Sequence, residues 1–301
     1  MKQAIIDIGS NSMRLTVYES ENGDFKILFK EKIMAGLAGY VEKGALSKAG
    51  ITVACNGLLE FRDVLKSLDI ENVVAFATAS LRNISNAKEA LNKIDAVSGY
   101  KVELISGDDE AHYSYAGAMH NLDIESGALM DIGGASTEIV SFKDREVTGT
   151  ASVELGSLNL FKQYVALILP SRGEIKRIRR ATRDSIDKGS GFKFKKNASL
   201  ICVGGTARAV LSLAQDIFDL EGEENRLSRK QFDTLCSFLL SADKEVADLI
   251  LRLKPDRIHT MIPGTLIMQH IVNLFDAEEI IVSKYGVREG YLCRKILIPD
   301  S

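Results

Sequence analysis

The sequence predicts an α/β protein made of two similar halves, each a largely parallel sheet with helices on both faces. Short apolar runs alternate with amphipathic segments along the 301 residues, which is typical of repeated strand–helix–strand units. Each half also begins in the same way, with a strand that enters an Asp-x-Gly turn and is followed by two further strands. This repeated plan indicates an internal duplication.

The first half shows regular patterns from its first residues. Residues 13–18 alternate between apolar and polar, as a half-buried strand does. Ser47 is a suitable N-cap for a helix whose apolar residues recur every three or four positions as far as Leu68, and Gly99 is suited to end a later helix. In order, we predict strands at 3–8, 13–18 and 26–34, a helix from 48 to 68, a strand at 73–78, a helix at 85–97, a strand at 102–105 and a helix at 108–121.

The pattern restarts at residue 128, which marks the second half. We place the domain boundary near residues 122–127, with domains at 1–124 and 125–301 joined by a compact hinge, because no long Pro- or Ser-rich linker separates them. In order, we predict strands at 128–132, 137–142 and 146–153, helices at 158–169 and 174–187, a strand at 200–203, helices at 206–219, across 229–253 and at 262–275, a strand at 279–282 and a helix at 288–297.

The overall charge and hydropathy exclude two classes of protein. A net charge of −3 excludes a generally basic DNA-binding protein, so any site for a polyanion must be local. No segment approaches the roughly 18 apolar residues that a membrane helix needs. Asp7 interrupts any signal-peptide core, and we therefore expect a cytoplasmic protein.

Two Asp-x-Gly turns are the strongest chemical signal, DIGSNS at 7–12 and DIGGAST at 131–137. Their glycines let the backbone approach a ligand, their successive N–H groups can form an anion-binding nest, and their hydroxyls add donors. For one turn alone an ordinary hairpin is an equal alternative, but two turns in duplicated positions favour phosphate binding. The candidate substrate-binding residues in these turns are Gly9, Ser10, Asn11, Ser12, Gly133, Gly134, Ser136 and Thr137.

A third turn, Gly204-Gly205-Thr206, follows an apolar strand and opens a helix. A helix N-terminus preceded by glycines is an anion-binding site, because its backbone N–H groups point outward and its dipole favours negative charge. The alternative is a tight strand-to-helix turn in which Thr206 only caps the helix. Because the other two turns already suggest phosphate, we predict that Gly204, Gly205 and Thr206 also bind substrate.

Six motifs in order give the chain a resemblance to a known family. They are DIGSNS at 7–12, ATASLR at 77–82, ISGDDEA at 105–111, DIGGASTE at 131–138, GGT at 204–206 and GVREG at 286–290. Together they resemble the exopolyphosphatase/guanosine-pentaphosphate phosphohydrolase (Ppx/GppA) family, from about residue 4 to 291. The resemblance implies the duplicated ribonuclease-H-like fold of the actin-like ATPase, sugar kinase and Hsp70 superfamily, with the active site in an interdomain cleft.

The sequence departs from the family pattern at two places. Ala135 stands where the family usually has a third glycine, and its Cβ slightly narrows the space for phosphate. Asp108 and Asp109 precede Glu110 where the family more often has a pair of glutamates before Ala111. Glu110 alone keeps the position of the family's catalytic glutamate.

Glu110 and Arg82 are the predicted catalytic residues. Hydrolysis of a phosphoanhydride needs an in-line water that gives up a proton, and the resemblance implies that Glu110 is the general base. Without the resemblance, the acids at 108–110 are interpreted only as residues that stabilise a helix N-terminus, where negative charge is favoured. We expect Arg82 to clamp the phosphate in a bidentate manner, although a surface salt bridge is the alternative. Glu289 is as consistent with a structural role as with a catalytic one, and we do not include it among the catalytic residues.

Asp131 and Glu138 are the predicted metal ligands, and Asp7 is expected to help from the other half. Carboxylates at the end of a strand can hold Mg²⁺ or another divalent cation directly or through water, and the ion neutralises phosphate charge in the transition state. An outward-facing strand residue is the alternative for Glu138.

The leading hypothesis is an Mg²⁺-dependent exopolyphosphatase that releases orthophosphate from the ends of inorganic polyphosphate. Hydrolysis of guanosine pentaphosphate (pppGpp) uses the same chemistry, and the sequence does not separate the two. A phosphotransferase of the same superfamily and a non-catalytic sensor are further alternatives. A homodimer is implied by the resemblance only. The basic stretch 172–196 is consistent either with a solvated helix face or with a surface for a polyanion.

Overall fold

The computed structural model describes residues 1–297, and its residues form two compact units. Residues 1–110 form the first unit together with residues 291–297, and residues 111–290 form the second. The predicted boundary between residues 124 and 125 therefore lies inside the second unit. The last four residues of the predicted second domain, 298–301, lie outside the described residues.

The first unit contains a five-stranded sheet, a small hairpin and helices. Its strands are β1 (Lys2–Ile8), β2 (Met13–Glu21), β3 (Asp24–Ile33), β4 (Val41–Glu42), β5 (Ala45–Leu46), β6 (Val73–Ala77) and β7 (Val102–Leu104). Its helices are α1 (Lys48–Ser67), α2 (Ala79–Arg82), α3 (Ala87–Ser98) and the first turn of α4 (Gly107–Met119), with a 3₁₀ turn at Leu37–Tyr40.

Local sequence signals set the helix ends in this unit. The Ser47 hydroxyl accepts a hydrogen bond from the N–H of Gly50 and caps α1, as predicted. Gly99 ends α3 with a φ of 79°, in the left-handed region that suits glycine. The predicted strands at 3–8, 13–18, 26–34, 73–78 and 102–105 are all present, with ends that differ by a few residues.

The second unit contains a six-stranded sheet and seven further helices within the described residues. Its strands are β8 (Gly127–Ile132), β9 (Thr137–Lys143), β10 (Glu146–Val153), β11 (Ser199–Val203), β12 (Arg226–Ser228) and β13 (Glu279–Val282). Its helices are α5 (Ser157–Tyr164), α6 (Arg172–Arg183), α7 (Gly204–Phe218), α8 (Arg229–Leu239), α9 (Lys244–Leu253), α10 (Met261–Phe275) and α11 (Val287–Tyr291), with a 3₁₀ turn at Pro255–Arg257 and a π-helical turn at Asp184–Gly189. The last residue of α11 and the π-helical turn Leu292–Leu297 that follows it belong to the first unit.

The two sheets share one strand order. It is β3-β2-β1-β6-β7 in the first unit and β10-β9-β8-β11-β13 in the second, where β12 adds an antiparallel edge. In both, the first three strands are antiparallel and the remaining two run parallel to the first strand. The predicted α/β class and the duplicated, ribonuclease-H-like arrangement are confirmed. The interdomain cleft stays a prediction.

Helix α4 explains why the division falls before Ala111 and not near residue 124. Its apolar side chains Tyr115 and Ala118 pack in one buried cluster with Leu129 and Val140 of the second sheet. The helix is therefore bound to the second unit by the apolar surface that it buries there, which is the main favourable term in folding. The sequence pattern predicted the helix but not the sheet that it covers.

Tyr291 joins the first unit through its own packing. Its ring stacks on Phe76 with centroids 5.0 Å apart, and its hydroxyl donates a 2.6 Å hydrogen bond to the Glu103 carboxylate. Tyr291 thus packs on Phe76 of the first sheet, although the sequence pattern places Tyr291 in the second half.

Several short elements were not predicted, and one predicted helix is shorter. These additions are the 3₁₀ turns, the β4–β5 hairpin, helix α2 and strand β12. The helix predicted at 158–169 ends at Tyr164. The N–H of Ala166 donates to the Glu174 carboxylate at 3.1 Å and not to a carbonyl of the helix. Within residues 1–297, no helix has both the length and the apolar content needed to cross a bilayer.

Candidate active site

The two Asp-x-Gly turns are built by the same hydrogen bond. In the first unit the N–H of Gly9 donates to the carbonyl of Ser12 at 3.1 Å, and in the second the N–H of Gly133 donates to the carbonyl of Ser136 at 2.9 Å. Each bond closes the turn between the first two strands of its sheet. The duplication that the sequence pattern indicated therefore extends to the backbone of the candidate site.

The first turn is held from behind by the segment that follows β3. The N–H of Gly36 donates to the carbonyl of Asn11 at 2.9 Å, and the N–H of Ala38 donates to the carbonyl of Ser10 at 3.0 Å. Ser10 and Ser12 are buried, and Arg14 Nε donates to the Ser12 hydroxyl at 3.3 Å. The carbonyls of Ser10 and Asn11 thus accept hydrogen bonds from the segment that follows β3, which favours a rigid turn.

The second turn is held by the start of α5. The N–H of Ser157 donates to the carbonyl of Gly133 at 3.0 Å, and a Cβ on Gly156 would lie 2.2 Å from the carbonyl carbon of Gly134. Only glycine allows this approach. The buried Thr137 hydroxyl donates to the carbonyl of Leu155 at 2.5 Å, so its proton serves the framework.

Asp131 and Glu138 lie opposite each other on neighbouring strands. They pair in the antiparallel register of β8 and β9, so both side chains project from the same face of the sheet. Leu129 and Val140 lie on the same face and pack against α4. Asp131 and Glu138 are the next pair on this face, toward the Asp-x-Gly turn. The Ser114 hydroxyl of α4 donates to Asp131 Oδ2 at 2.7 Å, and the Ser152 hydroxyl donates to Glu138 Oε1 at 2.9 Å.

The third turn touches the carboxylate of Asp131. Gly204 has a φ of +90°, and a Cβ there would lie 2.4 Å from Asp131 Oδ1. A glycine is therefore required both by the backbone conformation and by the approach of the acid. Thr206 is buried, and its hydroxyl donates to the carbonyl of Ile132 at 3.4 Å. The turn opens α7, whose first N–H groups and dipole favour an anion.

Glu110 and Arg82 form an ion pair within the first unit. Arg82 Nη1 donates to Glu110 Oε2 at 2.9 Å and to the carbonyl of Ile105 at 3.1 Å. The Glu110 side chain is 12% exposed and that of Arg82 is 18% exposed, so the pair is largely shielded from water. The guanidinium therefore fixes the position of the carboxylate by a charge-assisted hydrogen bond.

Asp109, not Glu110, takes the role of the helix cap. Its carboxylate accepts the Ser106 hydroxyl at 2.6 Å, and its N–H donates to the same hydroxyl at 3.0 Å, in a reciprocal arrangement at the start of α4. The alternative that the acids only decorate a helix N-terminus therefore describes Asp109. Glu110 turns toward Arg82 instead.

Three arginines of the second unit, which sequence reasoning missed, surround the third turn. A Cβ on Gly205 would lie 2.0 Å from Arg257 Nη2, so this guanidinium packs directly on the turn. Burial lowers the pKa of Arg257. Burial also lowers the pKa of Arg208, with Arg288 and Arg257 acting in the same direction and Asp131 opposing them.

The signal for two of these arginines was present in the motifs. Arg208 lies three residues after Gly205, and Arg288 lies inside GVREG at 286–290. Sequence reasoning weighed glycines and hydroxyls there and passed over the basic side chains. Glu289 is 3% exposed and accepts the N–H of Gly286 at 3.0 Å, which is a structural contact within its own segment.

The carboxylates of the second unit fit a magnesium ion. Asp131 and Glu138 offer oxygen donors on one face, and Mg²⁺ is usually held by one or two carboxylates while keeping waters and substrate phosphates. Among residues 1–297 no group of three or more His, Cys, Asp and Glu is placed to enclose a metal. Asp7 belongs to the first unit, where it pairs with Arg14 across β1 and β2.

Comparison with known proteins identifies the family of this chain. The profile of the Ppx/GppA phosphatase family matches residues 16–298. A protein named putative exopolyphosphatase from Haemophilus influenzae is 28% identical over 293 residues, covering 96% of this chain and 90% of that protein. A guanosine-5'-triphosphate,3'-diphosphate pyrophosphatase from Pseudoalteromonas translucida is 27% identical, and the match covers 96% of this chain and 58% of that protein.

Solved structures have the same fold. The PPX-GPPA enzyme of Aquifex aeolicus superposes with a TM-score of 0.78 at 27% identity, covering 97% of this chain and 99% of that one. An exopolyphosphatase from Cytophaga hutchinsonii superposes with a TM-score of 0.85 at 22% identity, covering 97% and 96% of the two chains, and shows the fold alone. With the profile spanning nearly its whole length, this chain belongs to the Ppx/GppA phosphatase family.

Proposed function

We propose that this phosphatase is an exopolyphosphatase, which hydrolyses the terminal phosphoanhydride bond of inorganic polyphosphate and releases orthophosphate. The observation that carries the proposal is the inward Glu110, paired with Arg82 beside a helix cap that Asp109 already supplies. A shielded carboxylate that is held by an arginine and does not serve as the helix cap is suited to accept a proton from water.

The proposed reaction assigns one step to each group. The Glu110 carboxylate takes a proton from a water molecule whose oxygen attacks the terminal phosphorus. The bridging P–O bond breaks, and its electron pair leaves with the shortened chain. Arg82 uses Nη1 for both of its hydrogen bonds, so its Nη2 edge is the one assigned to the phosphate.

The glycine turns and the arginines are the proposed phosphate contacts. Gly9, Gly133 and Gly204 open turns whose N–H groups can cradle phosphate oxygens. Arg208, Arg257 and Arg288 add positive charge to the third turn, where guanidinium groups suit phosphate geometry. Mg²⁺ held by Asp131 and Glu138, with Asp7 as the further proposed ligand, would neutralise charge on the phosphate as the bond breaks.

Hydrolysis of pppGpp is the second candidate, favoured by the relative from Pseudoalteromonas translucida that carries this activity in its name. The same residues would act, with a nucleotide as the leaving group. The chain spans 58% of that relative.

Orthophosphate release with Mg²⁺ from short polyphosphate, long polyphosphate and pppGpp, measured side by side, tests the proposal. We expect release from polyphosphate at the higher kcat/KM. A higher kcat/KM on pppGpp would replace the first proposal by the second. Formation of ATP from polyphosphate and ADP without free phosphate would indicate a phosphotransferase, and tight binding without turnover would indicate a sensor.

A homodimer, which the family resemblance implies, and a cytoplasmic location, which the N-terminal sequence favours, remain part of the proposal. Light scattering on the purified protein would test the first, and a mass near the 33.0 kDa of one chain would contradict it.

A further inference from the structure

The second unit carries a groove that the proposed reaction does not use. Helices α6 and α10 form its walls, and its volume is about 530 Å³, within the range of ligand sites. The groove is lined by Lys176, Arg179, Arg180, Thr182, Arg183, Leu266, Gln269, His270 and Asn273. No acidic side chain is among them.

One wall is a stripe of cations. Lys176, Arg179 and Arg183 lie at helical spacing on α6 and so share one face. Within the described residues no carboxylate lies within ion-pair distance of these three, whereas Arg180 is paired with Asp184 at 3.7 Å. Arg183 acts on the neighbouring Asp184 at longer range and helps lower its pKa, and Arg179 Nη2 donates to Gln269 Oε1 at 3.5 Å. Three like charges side by side repel one another, and an anion in the groove relieves that repulsion.

The opposite wall and the floor are polar. Gln269, His270 and Asn273 follow one another on α10, and His270 Nε2 lies 2.7 Å from Asp187 Oδ1. Thr182 is 1% exposed at the floor, and its Oγ1 is without a hydrogen-bond partner in the part of the chain that the structure describes. Such a group costs stability unless it is satisfied, and it marks a position where the protein keeps a polar atom that its own fold does not use.

The length of the cation stripe favours a linear polyanion as the ligand. From Lys176 to Arg183 the stripe extends about 10 Å along the helix axis, so a linear polyanion contacts all three cations and a single orthophosphate does not. No Phe or Tyr is among the lining residues, so the groove lacks the stacking platform that single-stranded nucleic acid uses.

We propose that this groove is a second, non-catalytic binding site for a linear inorganic polyphosphate chain. This inference extends the proposed function and rests on that function for the identity of the ligand. A second contact on the same chain raises the effective concentration of substrate at the enzyme without new chemistry at the catalytic residues.

Equilibrium binding of fluorescently labelled long polyphosphate tests the groove without requiring turnover. The groove variant combines Lys176→Gln, Arg179→Gln and Arg183→Gln. The control variant combines Arg172→Gln, Lys193→Gln and Lys195→Gln, which removes the same charge from the neighbouring surface but not from the groove.

We expect the groove variant to bind polyphosphate at least about tenfold more weakly than the control. By analogy with single-stranded nucleic acid, the slope of log K against log salt should fall by about 2. Equal affinity of the two variants would overturn the inference whether or not the enzyme hydrolyses polyphosphate. Loss of binding in a protein that releases no phosphate would support the groove and refute the proposed function. Equal binding of oligouridylate, with the same loss in the variant, would overturn polyphosphate as the ligand.

Discussion

The Ser114 hydroxyl donates a 2.7 Å hydrogen bond to Asp131 Oδ2, and so joins helix α4 to the strand that ends in the second Asp-x-Gly turn. Ser114 is fully buried, and the other oxygen of Asp131 lies against Gly204. The carboxylate is thus held from two sides. This orientation is the one on which the proposed magnesium site depends.

Ser114→Ala should weaken the response to magnesium. The variant leaves Asp131 without the hydrogen bond that orients it, and loss of such a partner typically reduces metal affinity by about 10–100-fold. The Mg²⁺ concentration for half-maximal phosphate release measures this. Ser98→Ala, at another fully buried serine, is the matched control and should leave the magnesium response unchanged. Identical magnesium curves for both variants would refute the positioning role of Ser114.

Glu110→Gln should abolish turnover and spare polyphosphate binding. The amide keeps the size of the side chain beside Arg82 but cannot accept a proton, and loss of a general base typically costs about 10²–10⁴ in rate. Phosphate release and equilibrium binding are measured on the same preparation. Asp109→Asn is the control on the same turn, where the loss should be at most about 1 kcal/mol of stability with turnover retained. The role assigned to Glu110 fails if the two variants turn over at similar rates.

Gly156→Ala should destabilise the second unit, whereas Gly173→Ala should not. The new Cβ at 156 would meet the backbone of the second turn, and forced overpacking typically costs about 1–3 kcal/mol. Gly173 lies in α6 with open space around it, so alanine there is expected to be neutral or stabilising by up to about 1 kcal/mol. Urea unfolding of both variants provides the comparison. An unchanged midpoint for Gly156→Ala would contradict the packing described for the turn.

Glu174 should make the stability of the second unit sensitive to acid. Its carboxylate accepts the N–H of Ser171 at 2.7 Å and that of Ala166 at 3.1 Å, and these hydrogen bonds, that of Ser171 first, lower its pKa below the usual 4.5. A lowered pKa contributes stability that is present above the unfolded value and is lost as the pH falls. Glu174→Gln should therefore be less stable than the parent at pH 7, with the difference shrinking below about pH 4.

Thermal unfolding of both proteins across this range measures the effect of Glu174. Glu245→Gln is a suitable comparison, because Glu245 is an exposed acid in the first turn of α9. We expect the stability difference between that variant and the parent to show no comparable dependence on pH. A constant difference between parent and Glu174→Gln from pH 7 to pH 3 would show that the hydrogen bonds do not depend on ionisation.

Most of the regular structure was predictable because its causes are local. The cap at Ser47 and the left-handed Gly99 are set by neighbouring residues, and the strand patterns follow from period-two burial. The short strand β12 escaped prediction because three residues carry too little pattern. It exists by pairing with β13, which is a tertiary event.

The candidate site divides in the same way. The motifs identified Glu110, Asp131 and the glycine turns, since short strings of residue types specify turns and strand ends. They did not reveal that Asp109 would take the cap or that Arg257 would pack on Gly205, because Arg257 comes from a 3₁₀ turn more than 50 residues away.

The sequence by itself determined the duplicated α/β plan, the positions of the phosphate-type turns and the acids at the strand ends, since each depends on residues close together in the chain. Only the tertiary structure decided which sheet α4 covers and therefore where the chain divides. It also brought Ser114 to Asp131 and left Lys176 and Arg183 beside a groove with no carboxylate of residues 1–297 within ion-pair distance. The physical reason is that burial and charge pairing are decided between elements distant in sequence, where local pattern carries no information.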